Sequence, residues 1–114
     1  MNEGDVALTP MAQADGQVKN RPVVVLRKMP LYNDLLVCGI STQLQQFVPD
    51  FDELVTSTNP DFAASGLIKD SVIRLSFLAV VPTRAVIGSI GSSALERHRK
   101  LLQRLSAYLV ENLK

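Results

Sequence analysis

The apolar stretches of this chain are short and closely spaced, which limits the kind of sheet that they can form. Runs such as 23–26 and 35–40 are rich in Val, Leu and Ile, and only a few turn-forming residues separate them. Parallel strands need a crossover of a dozen or more residues, whereas antiparallel strands need only a short turn. We therefore predict a mostly antiparallel, barrel-like sheet.

The predicted strands follow from apolar runs bounded by turn residues. They cover residues 5–10, 23–26, 35–40, 51–56, 71–78 and 87–91, and residues 78–82 continue the fifth strand or bend into another. Residues 11–20 are polar and contain Asp15-Gly16, which predicts a loop with a turn at that pair.

The C-terminal segment has helical periodicity instead. Leucines recur along one face of residues 93–113, at Leu95, Leu101, Leu102, Leu105, Leu109 and Leu113. Such a stripe predicts an amphipathic helix, and Ser93 with Glu96 fits a capping box at its start. Strands followed by one helix indicate a small α+β fold, mainly β, in a single domain over 1–114.

Composition excludes several classes of protein. The 114 residues are 46% hydrophobic with a net charge of +1, which excludes intrinsic disorder. No apolar run is long enough to span a membrane, and the N-terminus lacks a signal sequence. The single cysteine, Cys38, cannot form an internal disulfide, so we expect a cytoplasmic protein.

Charge is distributed unevenly along the chain. Residues 1–66 carry four basic and eight acidic groups, a net charge of −4, and residues 67–114 carry eight and three, a net charge of +5. This asymmetry favours an anionic partner. Much of the excess comes from the helix, where we expect Arg97, Arg99, Lys100 and Arg104 to form a solvated face.

Few residues match common catalytic or metal-binding patterns. One histidine and one cysteine cannot form a usual zinc site. His98 is expected to be a half-exposed helix residue, and Cys38 a core residue. Asp50, Asp52 and Glu53 are more typical of a solvated strand edge than of a metal site. We expect neither a metal nor a cofactor.

Two arginines remain as candidates for binding an anion. Arg21 precedes a proline at the start of a strand, and Arg74 lies within the apolar run Val72–Leu75. An arginine in such a run must point away from its apolar neighbours, toward a carboxylate, a phosphate or solvent. Composition alone favours an ordinary surface or salt-bridged arginine.

Five segments, taken in order, resemble the MazF/PemK (Kid) toxins. They are Gly4-Asp5-Val6, Arg21-Pro22-Val23-Val24-Val25, Ile40-Ser41-Thr42-Gln43, residues 65–75 and the closing strand and helix over 87–113. Each motif is weak by itself, but the ordered set covers nearly the whole chain.

The resemblance implies a fold and an activity. The fold is an SH3-like antiparallel barrel with added helices, usually a homodimer. The activity is that of a type II toxin restrained by a MazE-like antitoxin: a metal-independent endoribonuclease that cleaves single-stranded mRNA at short sequences. The ribose 2′-hydroxyl attacks the adjacent phosphate and leaves a 2′,3′-cyclic phosphate.

The resemblance also implies the site residues. Arg21 falls on the family's catalytic arginine, Ser41 on its threonine, and Arg74 on an arginine that some members use as an acid or phosphate clamp. In some members an aspartate, the proposed general base, stands where this chain has Ser76. This leaves Asp15 as the candidate general base. The expected substrate-binding residues are Asn20, Thr42, Gln43 and Ser76.

Two other functions remain open. The same fold family includes CcdB toxins, which poison DNA gyrase without cutting nucleic acid. The chain could also be a catalytically weakened member that only binds RNA or the antitoxin, which the serine at position 76 favours. A dimer could form through the C-terminal helix or through the edge strand near 51–56.

Overall fold

Six strands form one antiparallel sheet in the computed structural model, which describes residues 1–112. The strands are β1 (Asp5–Ala12), β2 (Val18–Met29), β3 (Asp34–Ser41), β4 (Glu53–Val55), β5 (Ser71–Val81) and β6 (Gly88–Ser92). Their spatial order is β4-β5-β3-β2-β1-β6. The helices are α1 (Phe62–Ser65) and α2 (Leu95–Val110), with 3₁₀ turns at Leu44–Gln46 and Thr83–Ala85. The predicted mainly β antiparallel fold with a C-terminal helix is confirmed.

The first hairpin is longer than the sequence indicated. β1 continues to Ala12 and β2 already begins at Val18, so half of the predicted loop over 11–20 is strand. The turn itself lies at Asp15-Gly16 as predicted, with a φ of 84° at Gly16. This polar arm shows no alternation, because within residues 10–20 only Met11 is buried.

The sheet curls, because α1, which precedes β5, packs against β6 at the opposite edge of the sheet. Two glycines permit this contact. A Cβ on Gly91 would overlap the carbonyls of Ala64 and Ser65, and one on Gly66 would overlap the Ile90 carbonyl. Gly66 also ends α1 with a φ of 75°, a conformation that favours glycine.

Both faces of the central strands are buried, which explains the continuous apolar runs. Val24 and Leu26 face one cluster with Ile73 and Leu101, whereas Val23 and Val25 face a second cluster on the other side of the sheet. Helix α2 covers the first of these faces. Cys38 is completely buried there, and its burial raises the pKa of the thiol to about 12.

The predicted capping box of α2 is wrong. The helix begins after Ala94, with no side-chain cap. The Ser93 hydroxyl instead donates to the Gly4 carbonyl over 2.8 Å. Ser93 therefore ties the start of α2 to the start of β1.

The leucine stripe of α2 is buried only in its middle. Leu101 and Leu105 belong to the core, whereas Leu95 and Leu109 are 70% and 63% exposed. Leu113, the last predicted member, lies outside the described residues. His98 is a half-buried helix residue as expected, and the Leu26 carbonyl accepts a hydrogen bond from its Nε2 at 2.9 Å. Within residues 1–112, no helix is long and apolar enough to cross a membrane.

Two of the four helix cations do not form the solvated face that we expected. Arg97 bonds both oxygens of Asp61, at 2.8 and 3.0 Å, and also bonds Glu53 at 3.1 Å. Arg104 pairs with Glu53 as well. The hydrogen bonds from Arg97 lower the pKa of Asp61, and those to Asp61 raise the pKa of Arg97. These charges attach α2 to the β4–α1 region and contribute little to an anion-binding surface.

Candidate functional site

A pocket of about 260 Å³ opens where β2, β3 and β5 lie side by side. Five of the eight predicted site residues line it, from three strands and the loop after β3. The lining consists of Met11, Gln13, Arg21, Pro22, Val23, Gly39, Ile40, Ser41, Thr42, Gln43, Gln46, Arg74 and Phe77.

Strand register brings these residues together. Val23 of β2 pairs with Gly39 of β3, and Gly39 pairs with Arg74 of β5. Arg21 is two residues before Val23, and Ser41 is two residues after Gly39. Residues two apart in a strand share a face of the sheet, so Arg21, Ser41 and Arg74 converge although they are far apart in sequence.

The guanidinium of Arg21 is held by the first hairpin. Its Nη2 donates to Oε1 of Gln13 over 2.6 Å. The amide of Gln13 is held in turn, because its Nε2 donates to the Met11 carbonyl over 3.1 Å. Arg21 is otherwise exposed, so its remaining N–H groups can bind an anion in the pocket.

Arg74 is the more buried of the two arginines. Its Nη2 donates to the Ser76 hydroxyl over 3.4 Å, a long bond. Its Nε is buried and has no hydrogen-bond partner among the described residues. A buried donor without a partner is costly, and an oxyanion bound beside it would remove that cost. Ser76 does not line the pocket, but it contacts the arginine that does.

The residues after β3 supply hydroxyl and amide groups. The Ser41 Oγ accepts the backbone N–H of Gln43 over 3.0 Å, which leaves its own proton free to donate. The side chain of Gln43 is held by Gln45, whose Nε2 donates to Oε1 of Gln43 over 2.8 Å. Thr42 and Gln46 complete this wall of the pocket.

Asp15 and Asn20 do not line the pocket. Asp15 is exposed at the tip of the first hairpin, where its Oδ1 accepts the Gln17 backbone N–H over 2.9 Å. Asn20 is an exposed residue of β2 opposite Pro10. Among residues 1–112, no carboxylate or imidazole lines the pocket, so its only ionisable side chains are the two arginines.

Sequence reasoning missed Gln13, Gln46 and Phe77 as lining residues. Phe77 was placed in a regular central strand, where alternation puts it with Ile73 and Leu75 toward the core. An irregularity in β5 turns Phe77 toward the pocket instead. No periodicity in the sequence predicts this irregularity.

Asp52 was also misinterpreted as part of a solvated edge. It is 1% exposed. Its Oδ1 accepts the Leu75 backbone N–H and its Oδ2 accepts the Val48 backbone N–H, each over 3.0 Å. Asp52 therefore joins the strand that carries Arg74 to the loop that carries Gln46. Within residues 1–112 it belongs to no group of three or more side chains that could hold a metal ion.

A second, more apolar depression adjoins the pocket and shares Arg21, Pro22, Ile40 and Thr42 with it. Its far side is formed by Leu8, Leu67, Ile68 and Ile90. The Ile68 side chain is 89% exposed. Arg21 thus borders a polar pocket on one side and an apolar surface on the other, whereas Arg74 lines the polar pocket alone.

Residues 2–109 match the model of a protein family described as PemK-like, MazF-like toxin of type II toxin-antitoxin system. The chain belongs to this family. Among solved structures it is similar to the Mycobacterium tuberculosis toxin MazF-mt6, with a TM-score of 0.65 and 19% identity over 92% of this chain and 95% of that one. At this identity the likeness shows the shared fold. No curated protein matches the sequence.

Membership of the PemK/MazF-like toxin family agrees with the resemblance seen in the five sequence segments. The match covers all three strands and the loop that form the pocket. The chain is therefore a PemK/MazF-like toxin whose two arginines converge on one pocket of the sheet.

Proposed function

We propose that the chain is a sequence-selective endoribonuclease toxin that cleaves single-stranded RNA without a metal. One observation supports this most: Arg21, Arg74 and the Ser41 hydroxyl converge on a single pocket from three strands. A phosphodiester at this place meets two cations and a neutral donor. Those groups suit a reaction in which negative charge builds up on phosphorus-bound oxygens.

The two arginines would bind the non-bridging oxygens of the scissile phosphate. A guanidinium stays protonated and presents several N–H donors in one plane, so it can donate to two oxygens at once. Arg74 would use donors that have no partner in the free protein, its Nε among them. Ser41 would donate its free proton to the same phosphate. Thr42 and Gln43, on the same wall, would bind the neighbouring nucleotide.

The reaction also moves two protons. The 2′-oxygen forms a bond to phosphorus and loses its proton, while the bond from phosphorus to the 5′-oxygen breaks and that oxygen gains one. No carboxylate lines the pocket, so Asp15 can act as the base only when the hairpin tip folds toward the substrate. Asp15→Asn tests this. If Asp15 is the base, the substitution changes the pH profile of cleavage; if Asp15 is only a turn residue, the profile stays the same.

Cleavage of a long single-stranded RNA by the purified protein tests the proposal. We expect discrete fragments that carry 5′-hydroxyl and 2′,3′-cyclic phosphate ends. Arg21→Ala and Arg74→Ala should each slow cleavage by about 10²- to 10³-fold, since each removes a donor to the transition state. Arg99→Ala is the matched control, because it removes an exposed helix cation outside the pocket. Cleavage that survives loss of either pocket arginine contradicts the assignment.

A second candidate function is that of a weakened member that binds RNA or an antitoxin without cutting. The absence of a carboxylate from the described pocket lining favours it. Its signature would be RNA binding that depends on Arg21 and Arg74 with no fragments at any pH. A CcdB-like gyrase poison would show neither, and would inhibit supercoiling instead.

An antitoxin partner is part of the same proposal. An acidic, MazE-like tail would cover the pocket by pairing with Arg21 and Arg74, and so would exclude RNA. A shared site would be supported if Arg21→Ala no longer inhibits bacterial growth and also binds the antitoxin more weakly. Undiminished antitoxin affinity would place the antitoxin elsewhere.

We propose further that the chain forms a homodimer through the apolar surface beside the pocket. Ile68, between α1 and β5, and Ile90, in the edge strand β6, line this surface and are 89% and 37% exposed. A second copy would bury them and extend the groove past Arg21. Sedimentation velocity should show a dimer that Ile68→Asp dissociates. Leu31→Asp, at the exposed β2–β3 turn, is the control and should leave it intact.

A further inference from the structure

Arg74 and Phe77 face the same pocket although they are three residues apart in one strand. In a regular strand, residues separated by an odd number point to opposite faces of the sheet. The register explains the exception: Leu78 pairs with Cys38, whereas the next residue of β3, Gly39, pairs with Arg74. Residues 75–77 therefore form a bulge without partners on β3, and the bulge turns Phe77 toward the arginine.

Gly39 provides the space for the aromatic ring. A Cβ at this position would lie 2.9 Å from Cδ1 and 3.1 Å from Cγ of Phe77. The ring thus lies directly on the backbone of β3, where any side chain would displace it.

The bulge is also anchored. The backbone N–H of Leu75 donates to the buried carboxylate of Asp52 over 3.0 Å. The Leu75 side chain is itself buried in the core, at 1% exposure. Leu75 therefore fixes one end of the bulge, and pairing of Leu78 with Cys38 fixes the other.

The other side of the ring is open. Phe77 is 38% exposed, and within residues 1–112 it is the one aromatic side chain that lines the pocket. An exposed ring beside a cation that binds phosphate is the arrangement that single-stranded nucleic acid requires, because bases stack on aromatic faces while the backbone binds cations.

We propose that Phe77 is the platform on which one nucleobase of the RNA stacks while Arg74 holds the adjacent phosphate. This rests on the proposed function for the identity of the ligand. The ring accepts any base, because every base has a flat π-face. Phe77 therefore contributes affinity and places the strand, and the amide side chains of the pocket are left to discriminate between bases.

A tryptophan at position 77 reports stacking directly, since the chain contains no other tryptophan. The probe is a random pool of 2′-O-methyl hexanucleotides, which bind but lack the hydroxyl that attacks the phosphate. We expect the pool to quench the emission of Phe77→Trp, and an abasic chain of the same length to leave it unchanged. Equal quenching by the abasic chain, or binding of the pool without quenching, would overturn the proposal.

Affinity gives the second test. Phe77→Leu should weaken binding of the pool by about 5- to 150-fold, the range that corresponds to loss of one stacked base. Gly39→Ala should weaken it too, and should add little to Phe77→Leu, because both act through the ring. Val80→Ala, an exposed apolar residue of β5 outside the pocket, is the control and should bind as the wild type does. Thermal melting confirms that each variant is folded.

Cleavage of unmodified RNA, measured in parallel, separates the two proposals. Binding and quenching without cleavage would contradict the endoribonuclease and leave the stacking platform intact. Cleavage with an unchanged affinity in Phe77→Leu would contradict only the platform. A wild-type protein that binds no pool and cuts no RNA would contradict both.

Discussion

The carboxylate of Asp52 stabilises the fold, and its contribution to the free energy of unfolding can be measured. It is buried at 1% exposure and accepts two backbone N–H groups, from Val48 and from Leu75, each over 3.0 Å. Asp52→Ala leaves both donors without an acceptor. A buried donor without a partner costs about 1–3 kcal/mol, and the Leu75 N–H is such a donor, whereas Val48 is 47% exposed and its N–H can bind water instead. We therefore expect the free energy of unfolding to fall by about 2–4 kcal/mol.

Asp52→Asn removes only half of this arrangement. Its amide oxygen can accept one N–H, but its NH₂ group meets the second donor. We expect a loss of about 1–3 kcal/mol, which lowers the urea midpoint by roughly 1 M for a domain of this size. The matched control is Asp50→Asn, because Asp50 is an exposed carboxylate two residues away whose positive φ of 65° suits asparagine.

Urea unfolding followed by circular dichroism gives the three free energies under identical conditions. The expected order of stability is wild type, nearly equal to Asp50→Asn, then Asp52→Asn, then Asp52→Ala. An Asp52→Asn variant as stable as the wild type would refute the reasoning, because it would mean that the two hydrogen bonds contribute nothing net. A loss in Asp50→Asn of the same size would show that charge in this loop, and not the buried bonds, is responsible.

Three further outcomes are expected. Because burial raises the pKa of Cys38 to about 12, the thiol should not react with a disulfide reagent at pH 8 until the protein unfolds; rapid reaction of the native protein would contradict its burial. Arg97 lowers the pKa of Asp61 below its usual 3.8, so their ion pair stabilises the fold above that pH and is lost as the pH falls further. Asp61→Asn should therefore be less stable than the wild type at pH 7. The free energies of unfolding of the two proteins, measured in urea, should become equal near pH 2. A difference that persists at that pH would exclude the ion pair as its cause. Gly91→Ala should destabilise the fold by about 1–3 kcal/mol, because its Cβ would overlap the carbonyls of α1. An unchanged melting temperature would contradict the close contact between α1 and β6.

Strands that are buried on both faces could be read directly from the sequence. Residues 23–26 and 35–40 are continuous apolar runs because the two core clusters lie on opposite sides of the same strands. The first hairpin gave no such signal beyond residue 10, since Met11 is the one buried residue within 10–20. The four-residue α1 was missed for a related reason: so short a helix has no periodicity.

The errors in the helix come from tertiary contacts. Ser93 has the right chemistry for a cap, but the Gly4 carbonyl lies close enough to take its hydroxyl. Leu95 and Leu109 have the right spacing for the core, yet they lie near the two ends of α2 and stay exposed, whereas Leu101 and Leu105 in its middle are buried. Spacing shows which face of a helix is apolar, and only the fold shows how much of that face is covered.

The candidate site divides in the same way. Arg21, Ser41 and Arg74 were found because the family resemblance fixes their positions on strands, and the register brings those strands together. Phe77 could not be found, because a bulge reverses its face. The role of Asp52 could not be found either, since its partners are backbone groups of residues 48 and 75, which no sequence pattern connects.

The central claim is that Arg21 and Arg74 bind and cleave a phosphodiester of single-stranded RNA. Mapping of RNA ends after controlled expression tests it most directly, with wild type, Arg21→Ala and Arg99→Ala compared side by side. We predict 5′-hydroxyl ends at one short recurring sequence in the wild type and in Arg99→Ala, and none above background in Arg21→Ala. Identical ends in Arg21→Ala, or no induced ends in the wild type, would contradict the account.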